Sequence, residues 1–145
     1  IYRGDLIIYV SSKKWLFERR KNELCINKKA PAAIGPYSQG ISANGFVFVS
    51  GQLPINPSTG TIAEGSIKDR TIQSMMNIGE ILKEAGSGLD KVVKTTIFVT
   101  NLELFGEVNE AYGTFFGGNA PARACVQVAA LPKGADIEIE AIATV

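Results

Sequence analysis

The 145-residue chain contains no histidine. That absence removes Ser-His-Asp and Cys-His nucleophile systems, imidazole proton shuttles and the usual zinc sites. Cysteine is almost as scarce. Cys25 and Cys125 are too few for a thiolate cage and form neither a metal-ligand nor a redox spacing. No metal site is expected, and free reduced thiols of an intracellular protein are the expected state of both residues. No apolar run reaches the ~20 residues a membrane-spanning helix needs; Leu6–Val10 is far too short. Neither a G-x-x-x-x-G-K-S/T loop nor a strand-linked G-x-G-x-x-G occurs, which argues against nucleotide binding. Any catalysis is left to carboxylates, arginine, hydroxyls, backbone groups or water.

What is present is a globular composition, 46% apolar and 20% charged, at a length that suits one domain. The net charge of +1 hides an uneven distribution. Residues 1–29 hold eight Lys/Arg against Asp5, Glu18 and Glu23, whereas residues 30–145 hold seven basic and eleven acidic residues. The body therefore lacks the basic face of a nucleic-acid-binding domain. Residues 1–21 differ from the rest in composition, and three readings stay open for them: an organelle-targeting segment, an extension that packs on the body, or an artefact of the gene model. The domain proper is taken as residues 22–145.

The pattern along that domain predicts an edge strand over residues 22–27 and a Pro/Gly-punctuated loop over 30–36. Strands Tyr37–Ala43 and Phe46–Gln52 flank Asn44-Gly45, a strong hairpin signal. Ser66 reads as the N-cap of a helix with Asp69 at its third position. The expected apolar stripe is Ile72, Met75, Met76, Gly79 and Leu82, and Gly86 ends the helix. A strand over Lys91–Thr100 precedes a second helix capped by Asn101. Its stripe is Leu102, Phe105, Val108, Asn109, Tyr112 and Phe115 or Phe116, and Gly117-Gly118 stops it. Ala122–Leu131 and Ile137–Val145 are the last strands. The order β, β, β, α, β, α, β, β implies an α+β fold, a mixed sheet with two helices on one face. The uncovered face carries apolar residues and calls for a partner copy.

Arg123 is the first candidate for chemistry. It lies near the start of a mostly apolar strand, and since guanidinium does not lose its proton, a buried Arg123 would need an anionic partner. Two readings stand side by side: a salt bridge to Asp136, Glu138 or Glu140, or a planar fork that clamps a small carboxylate or phosphate. Glu138 is the acid–base candidate, on a strand expected to pair with that of Arg123; the plainer alternative is a surface residue or an ion pair. Tyr37, after Gly35-Pro36, could cover a planar ligand or belong to the core. Ser50 could donate to an anion or be satisfied locally. Asn109 is a polar residue on an apolar stripe and needs partners. Cys125 shares Arg123's side of the strand; it is either an inert buried thiol or one acidified by the guanidinium.

Six segments occur in order: Ala30-Pro-Ala-Ala-Ile-Gly-Pro-Tyr-Ser-Gln-Gly40, Val49-Ser-Gly-Gln-Leu-Pro54, Val93-Lys-Thr-Thr-Ile97, Val108-Asn-Glu-Ala-Tyr112, Pro121-Ala-Arg-Ala-Cys125 and Ile137-Glu-Ile-Glu-Ala141. Together they closely resemble the RidA/YjgF family over residues 22–145. The resemblance implies a chorismate-mutase-like subunit in a homotrimer, with three sheets forming a central barrel and ligand sites between subunits. It implies a cofactor-independent deaminase that hydrolyses 2-enamine and 2-imine acids of the 2-aminoacrylate/2-iminopropanoate type to 2-oxo acids and ammonia. By the same resemblance Arg123 holds the substrate carboxylate and Glu138 positions or activates water. Tyr37, Ser50 and Asn109 line the cleft, and backbone groups around Cys125 meet the substrate nitrogen. The implied setting is the cytoplasm or the mitochondrion. The alternatives are an RNA-cleaving translation inhibitor and a non-catalytic small-acid-binding or chaperone-like trimer; the acidic body makes nucleic acid the weaker partner.

Overall fold

The computed structural model of the protein describes residues 22–145. The three readings of residues 1–21 fall outside the described residues. Six strands form one sheet: β1 (Glu23–Cys25), β2 (Gly40–Ala43), β3 (Phe46–Gln52), β4 (Val92–Val99), β5 (Ala122–Gln127) and β6 (Ile137–Thr144). Two helices, α1 (Ile67–Glu84) and α2 (Phe105–Gly113), complete the α+β fold. The spatial order is β1-β2-β3-β6-β4-β5. Every neighbouring pair is antiparallel except β4 and β5, which run parallel because α2 carries the chain back between them.

Local chemistry accounts for the boundaries the sequence suggested. Asn44 and Gly45 both take positive φ, 52° and 81°, and close the β2–β3 hairpin. Ser66 and Asp69 form a reciprocal capping box at the start of α1. Gly86, at φ 71°, takes the left-handed conformation just past its end. Three expectations shift. The second strand starts at Gly40 and the fifth ends at Gln127. Asn101 caps a short 3-10 turn, Leu102–Leu104, and α2 starts behind that turn and ends at Gly113, before the two glycines.

The core lies between the sheet and the helices. Val47, Val49, Ile97, Val99, Ile137, Ile139, Ala141 and Ala143 face Met75, Ile78, Ile81 and Leu82 of α1 and Val108 and Tyr112 of α2. The stripe predicted for α1 holds at Met75, Gly79 and Leu82, which are buried, and fails at two positions. Ile72 and Met76 are exposed, and Thr71, Ser74, Met75 and Ile78 take the inward places. Two buried amides fasten loops to this core. Asn77 donates to the carbonyls of Leu53 and Ile55. Gln39 accepts from the Asn27 N–H and donates to the carbonyls of Ala30 and Pro31, which fixes both ends of the loop that carries Tyr37.

Among the described residues no helix packs on the opposite face of the sheet. Phe46 and Phe48 stand on it 41% and 46% exposed, with ring centroids 6.4 Å apart, and Ile142 lies directly across from Phe48. Fully buried Ile78 is the place to test the helix–sheet core. Ile78→Ala should lower stability by roughly 2–5 kcal/mol in urea unfolding, whereas Met76→Ala, at an exposed position, should change it far less.

Candidate functional site

Arg123 lies on β5 opposite Thr95 of β4, so it points to the helix face. Its guanidinium carbon sits 5.4 Å from the ring centroid of Phe105 and 5.0 Å from that of Tyr112. Both rings belong to α2, seven residues apart and therefore on one helix face. The Tyr112 phenol is itself fixed by a 2.8 Å hydrogen bond with the Thr95 hydroxyl, a buried pair. Cation–π attraction thus orients the guanidinium without occupying it with a carboxylate. The ion pairs among the described residues are Lys68–Glu110, Arg70–Asp136 and Lys83–Glu80. The salt-bridge alternative for Arg123 is thereby set aside, since Asp136 pairs with Arg70 instead. Around Arg123 opens a cleft of about 470 Å³ lined by Asn109, Tyr112, Phe116, Ala120 and Pro121.

Glu138 lies elsewhere. Its strand, β6, pairs with β3 and β4, and β4 separates it from β5, so the expected pairing of the Glu138 and Arg123 strands does not occur. Glu138 sits opposite Phe98, on the face away from the helices, with Glu140 opposite Thr96 on the same face. The reason is the two-residue period of a strand: Ile137, Ile139 and Ala141 are buried under the helices, which turns Glu138 and Glu140 outward. A cleft of about 600 Å³ holds Glu138 together with Tyr37, Ser50, Gly51, Lys133 and Glu140. Burial, with the like charge of Glu140 behind it, raises the Glu138 carboxyl above the usual glutamate range.

The remaining candidates divide between these two clefts. Tyr37 is half exposed, and its phenol oxygen accepts from the Ile34 N–H at 3.3 Å, which leaves its O–H free to donate. Ser50 donates its hydroxyl hydrogen to the Ser38 carbonyl at 2.6 Å, so the locally satisfied alternative holds for its donor. Asn109 lines the Arg123 cleft, and its Oδ1 is buried without a donor. Cys125 is half-buried and free, and Cys25 is buried and free. Two effects oppose each other at Cys125. Burial raises its thiol pKa and Arg123 lowers it, and burial wins, which favours the inert thiol over the acidified one.

Sequence reasoning placed Phe105 and Tyr112 on a core stripe and missed what they do for Arg123. The signal was there in principle: two aromatics seven apart on the helix that leads into the arginine strand. Lys133 was also missed. It stands in the Glu138 cleft with φ 58°, an uncommon backbone for a residue other than glycine.

The sequence profile of the family described as endoribonuclease L-PSP matches residues 27–145. The chain belongs to this family. It is the family that the six ordered segments resemble. The 2-iminobutanoate/2-iminopropanoate deaminase of Rattus norvegicus is 53% identical over 115 residues, which cover 79% of this chain and 84% of the rat protein. The crystal structure of the Escherichia coli YjgF gene product superposes with a TM-score of 0.81 at 42% identity, over 84% of this chain and 98% of that one. E. coli TdcF, crystallised with bound serine, gives a TM-score of 0.81 at 41% identity, over 85% and 98%. In this L-PSP family chain the arginine cleft and the glutamate cleft are separate, and the carboxyl of the second can be titrated directly. Carboxyl-resolved NMR should place Glu138 above the ordinary glutamate midpoint of about 4.3. Glu140→Gln should bring that midpoint down by removing the like charge, yet leave it raised, since burial is the larger cause. An unshifted Glu138 in the unsubstituted protein would contradict the buried setting.

Proposed function

We propose that this protein hydrolyses 2-imine and 2-enamine acids to 2-oxo acids and ammonia, in sites formed where the Arg123 cleft of one protomer meets the Glu138 cleft of the next. One observation carries this reading: exposed Arg123 is steadied by two aromatic rings and has no carboxylate partner among the described residues, so its N–H fork is open to an anion from outside. The naming of the rat relative as a 2-iminobutanoate/2-iminopropanoate deaminase supports the reaction class. The serine in TdcF supports a small amino-acid-like ligand with a carboxylate. The apolar uncovered face supports the assembly, a homotrimer with the three sheets turned inward as a barrel.

In this proposal the substrate carboxylate takes both oxygens to the N–H fork of Arg123. The enamine form first gains a proton at its β-carbon and gives one up from nitrogen to become the imine. The imine carbon is electrophilic without further activation, so orientation and a placed water carry most of the barrier reduction. Glu138 of the adjacent protomer accepts a proton as the water oxygen bonds to that carbon, and the C=N π pair moves to nitrogen. Return of that proton to nitrogen gives the carbinolamine, and transfer of the hydroxyl proton to the same nitrogen lets ammonia leave as the carbon–nitrogen bond breaks and the carbonyl forms. Tyr37 covers the planar substrate, Asn109 braces the arginine side and Ser50 the glutamate side, and backbone groups near Cys125 meet the nitrogen. The sum is imine plus water to oxo acid plus ammonia. The proposed setting is the cytoplasm or the mitochondrion; no helix among the described residues is long and apolar enough to cross a membrane.

The deciding assay supplies freshly generated 2-aminoacrylate and follows pyruvate. Arg123→Ala should lose at least about 10²-fold in kcat/KM with the oligomer intact by sedimentation, and full activity in that variant would remove the carboxylate clamp. Because each site draws on two protomers, co-refolded Arg123→Ala and Glu138→Gln chains should regain a measurable share of activity that neither shows alone. No regain in verified mixed oligomers would mean that both residues act from one chain. As the working base must be ionised, the acid limb of the pH–rate profile should lie above the ordinary glutamate range and vanish in Glu138→Gln.

A further inference from the structure

Strand β3 carries one residue too many opposite β6. Val49 pairs with Ala141 and Gln52 pairs with Ile139, so Ser50 and Gly51 together span the place of Glu140. This is a β-bulge, a device that bends a strand and re-aims nearby side chains. The bulge abuts the cleft that holds Glu138. Gly51 is not needed there for its backbone, since it is absent from the glycines of positive φ, which are Gly35, Gly45, Gly60, Gly65, Gly86 and Gly134. What it lacks is space. A Cβ built at Gly51 would lie 2.0 Å from Oε1 of Glu138, 2.7 Å from its Cδ and 3.0 Å from its Cγ.

We propose that Gly51 is a positioning residue for Glu138: the missing side chain at the bulge is the recess that receives the Glu138 carboxylate and fixes where it meets water. The inference rests on the deaminase reading for what Glu138 does there. The geometry separates two costs. The colliding group is the carboxylate end of a flexible side chain, so a methyl at residue 51 turns Glu138 aside and leaves the strand in place. For the reaction, the same turn is severe, because a proton acceptor must stay within hydrogen-bond reach of the water it activates. A half-buried carboxylate turned out of its recess moves towards solvent and loses both its placement and the surroundings that hold its pKa up.

The test is a double-mutant cycle on the full chain. Gly51→Ala should keep its circular dichroism and oligomeric state. Its kcat should fall about 10²-fold, the scale of a misplaced general base, while KM and pyruvate affinity, which report on Arg123, stay within about twofold. Gly51→Ala combined with Glu138→Gln should be no slower than Glu138→Gln alone, because the glycine acts only through the glutamate. Glu138→Asp, one methylene shorter, should restore part of the rate in the Gly51→Ala background. Wild-type kcat in Gly51→Ala, or a double mutant slowed by the product of both single effects, would overturn the proposal. If Gly51→Ala fails to fold, Gly51→Ala/Glu138→Ala decides: recovery of the fold supports the steric recess, and continued failure means the backbone itself demands glycine. Wild-type activity in Glu138→Gln would instead sink the role given to Glu138, a result distinguishable from failure of the glycine effect alone.

Discussion

The two-residue period of a β-strand governs this molecule. Arg123 faces Thr95 across the parallel β4–β5 ladder and points at the helices, whereas Glu138 faces Phe98 across the β4–β6 ladder and points away from them. Neither side chain can change face without a one-residue register slip, which would expose Ile137 and Ile139 and bury Glu138 and Glu140. Burying two unpaired carboxylates would cost several kcal/mol, so the register is secure. An arginine and a glutamate on opposite faces of one sheet cannot grip the same small molecule. If they act together, as proposed, they do so across a boundary between copies, and the uncovered apolar face carrying Phe46 and Phe48 is where sheet could meet sheet.

The two halves are prepared in different ways. On the arginine side the work is orientation. Thr95 holds the Tyr112 hydroxyl, and Tyr112 and Phe105 flank the guanidinium, so a cation in an exposed position still has a defined place. Each aromatic contact is worth about 0.5–1 kcal/mol at an exposed site, less than a bidentate carboxylate would add, so the arginine is steadied without being satisfied. On the glutamate side the work is desolvation. Burial and Glu140 make ionised Glu138 costly in the single chain, which is what makes it a better proton acceptor than a carboxylate in water. Cys125 shows the same balance with the opposite consequence: burial outweighs Arg123, and the thiol stays protonated and unreactive.

Features that depend on neighbours in the chain were legible from the sequence. Asn44-Gly45 needs only its own backbone preferences to make a hairpin, and Ser66 with Asp69 needs only one helical turn. The six ordered segments carried the family, and with it Arg123 and Glu138 as the residues to examine. Strand order was not legible, because insertion of β6 between β3 and β4 is decided by contacts distant in sequence. Hence Glu138 was expected beside Arg123 and was found on the other face. The α1 stripe was right at Met75, Gly79 and Leu82 and wrong at Ile72 and Met76, whose apolar side chains fit a helical period nearly as well as the buried Thr71 and Ile78. Polar Thr71 and Ser74 were passed over as inward residues, although Thr71 satisfies its hydroxyl on the Ile67 carbonyl one turn back.

Histidine is missing from the chain, and the proposed site accounts for hydrolysis without it. An imidazole is valuable because it titrates near neutrality in water. A carboxylate moves up towards that range when it is partly buried and near a like charge, and both conditions meet at Glu138. The imine asks for less than an amide or a phosphodiester: its carbon is already electron-poor and its leaving group is a neutral amine once protonated. A modest base in a fixed position suffices. RNA cleavage would ask for more, a base and an acid in line across a phosphate held by basic groups, and among the described residues the Glu138 cleft offers Glu138 and Glu140 with Lys133 as its cation. The family description names an endoribonuclease; a small carboxylate at Arg123 is the anion the proposed site calls for.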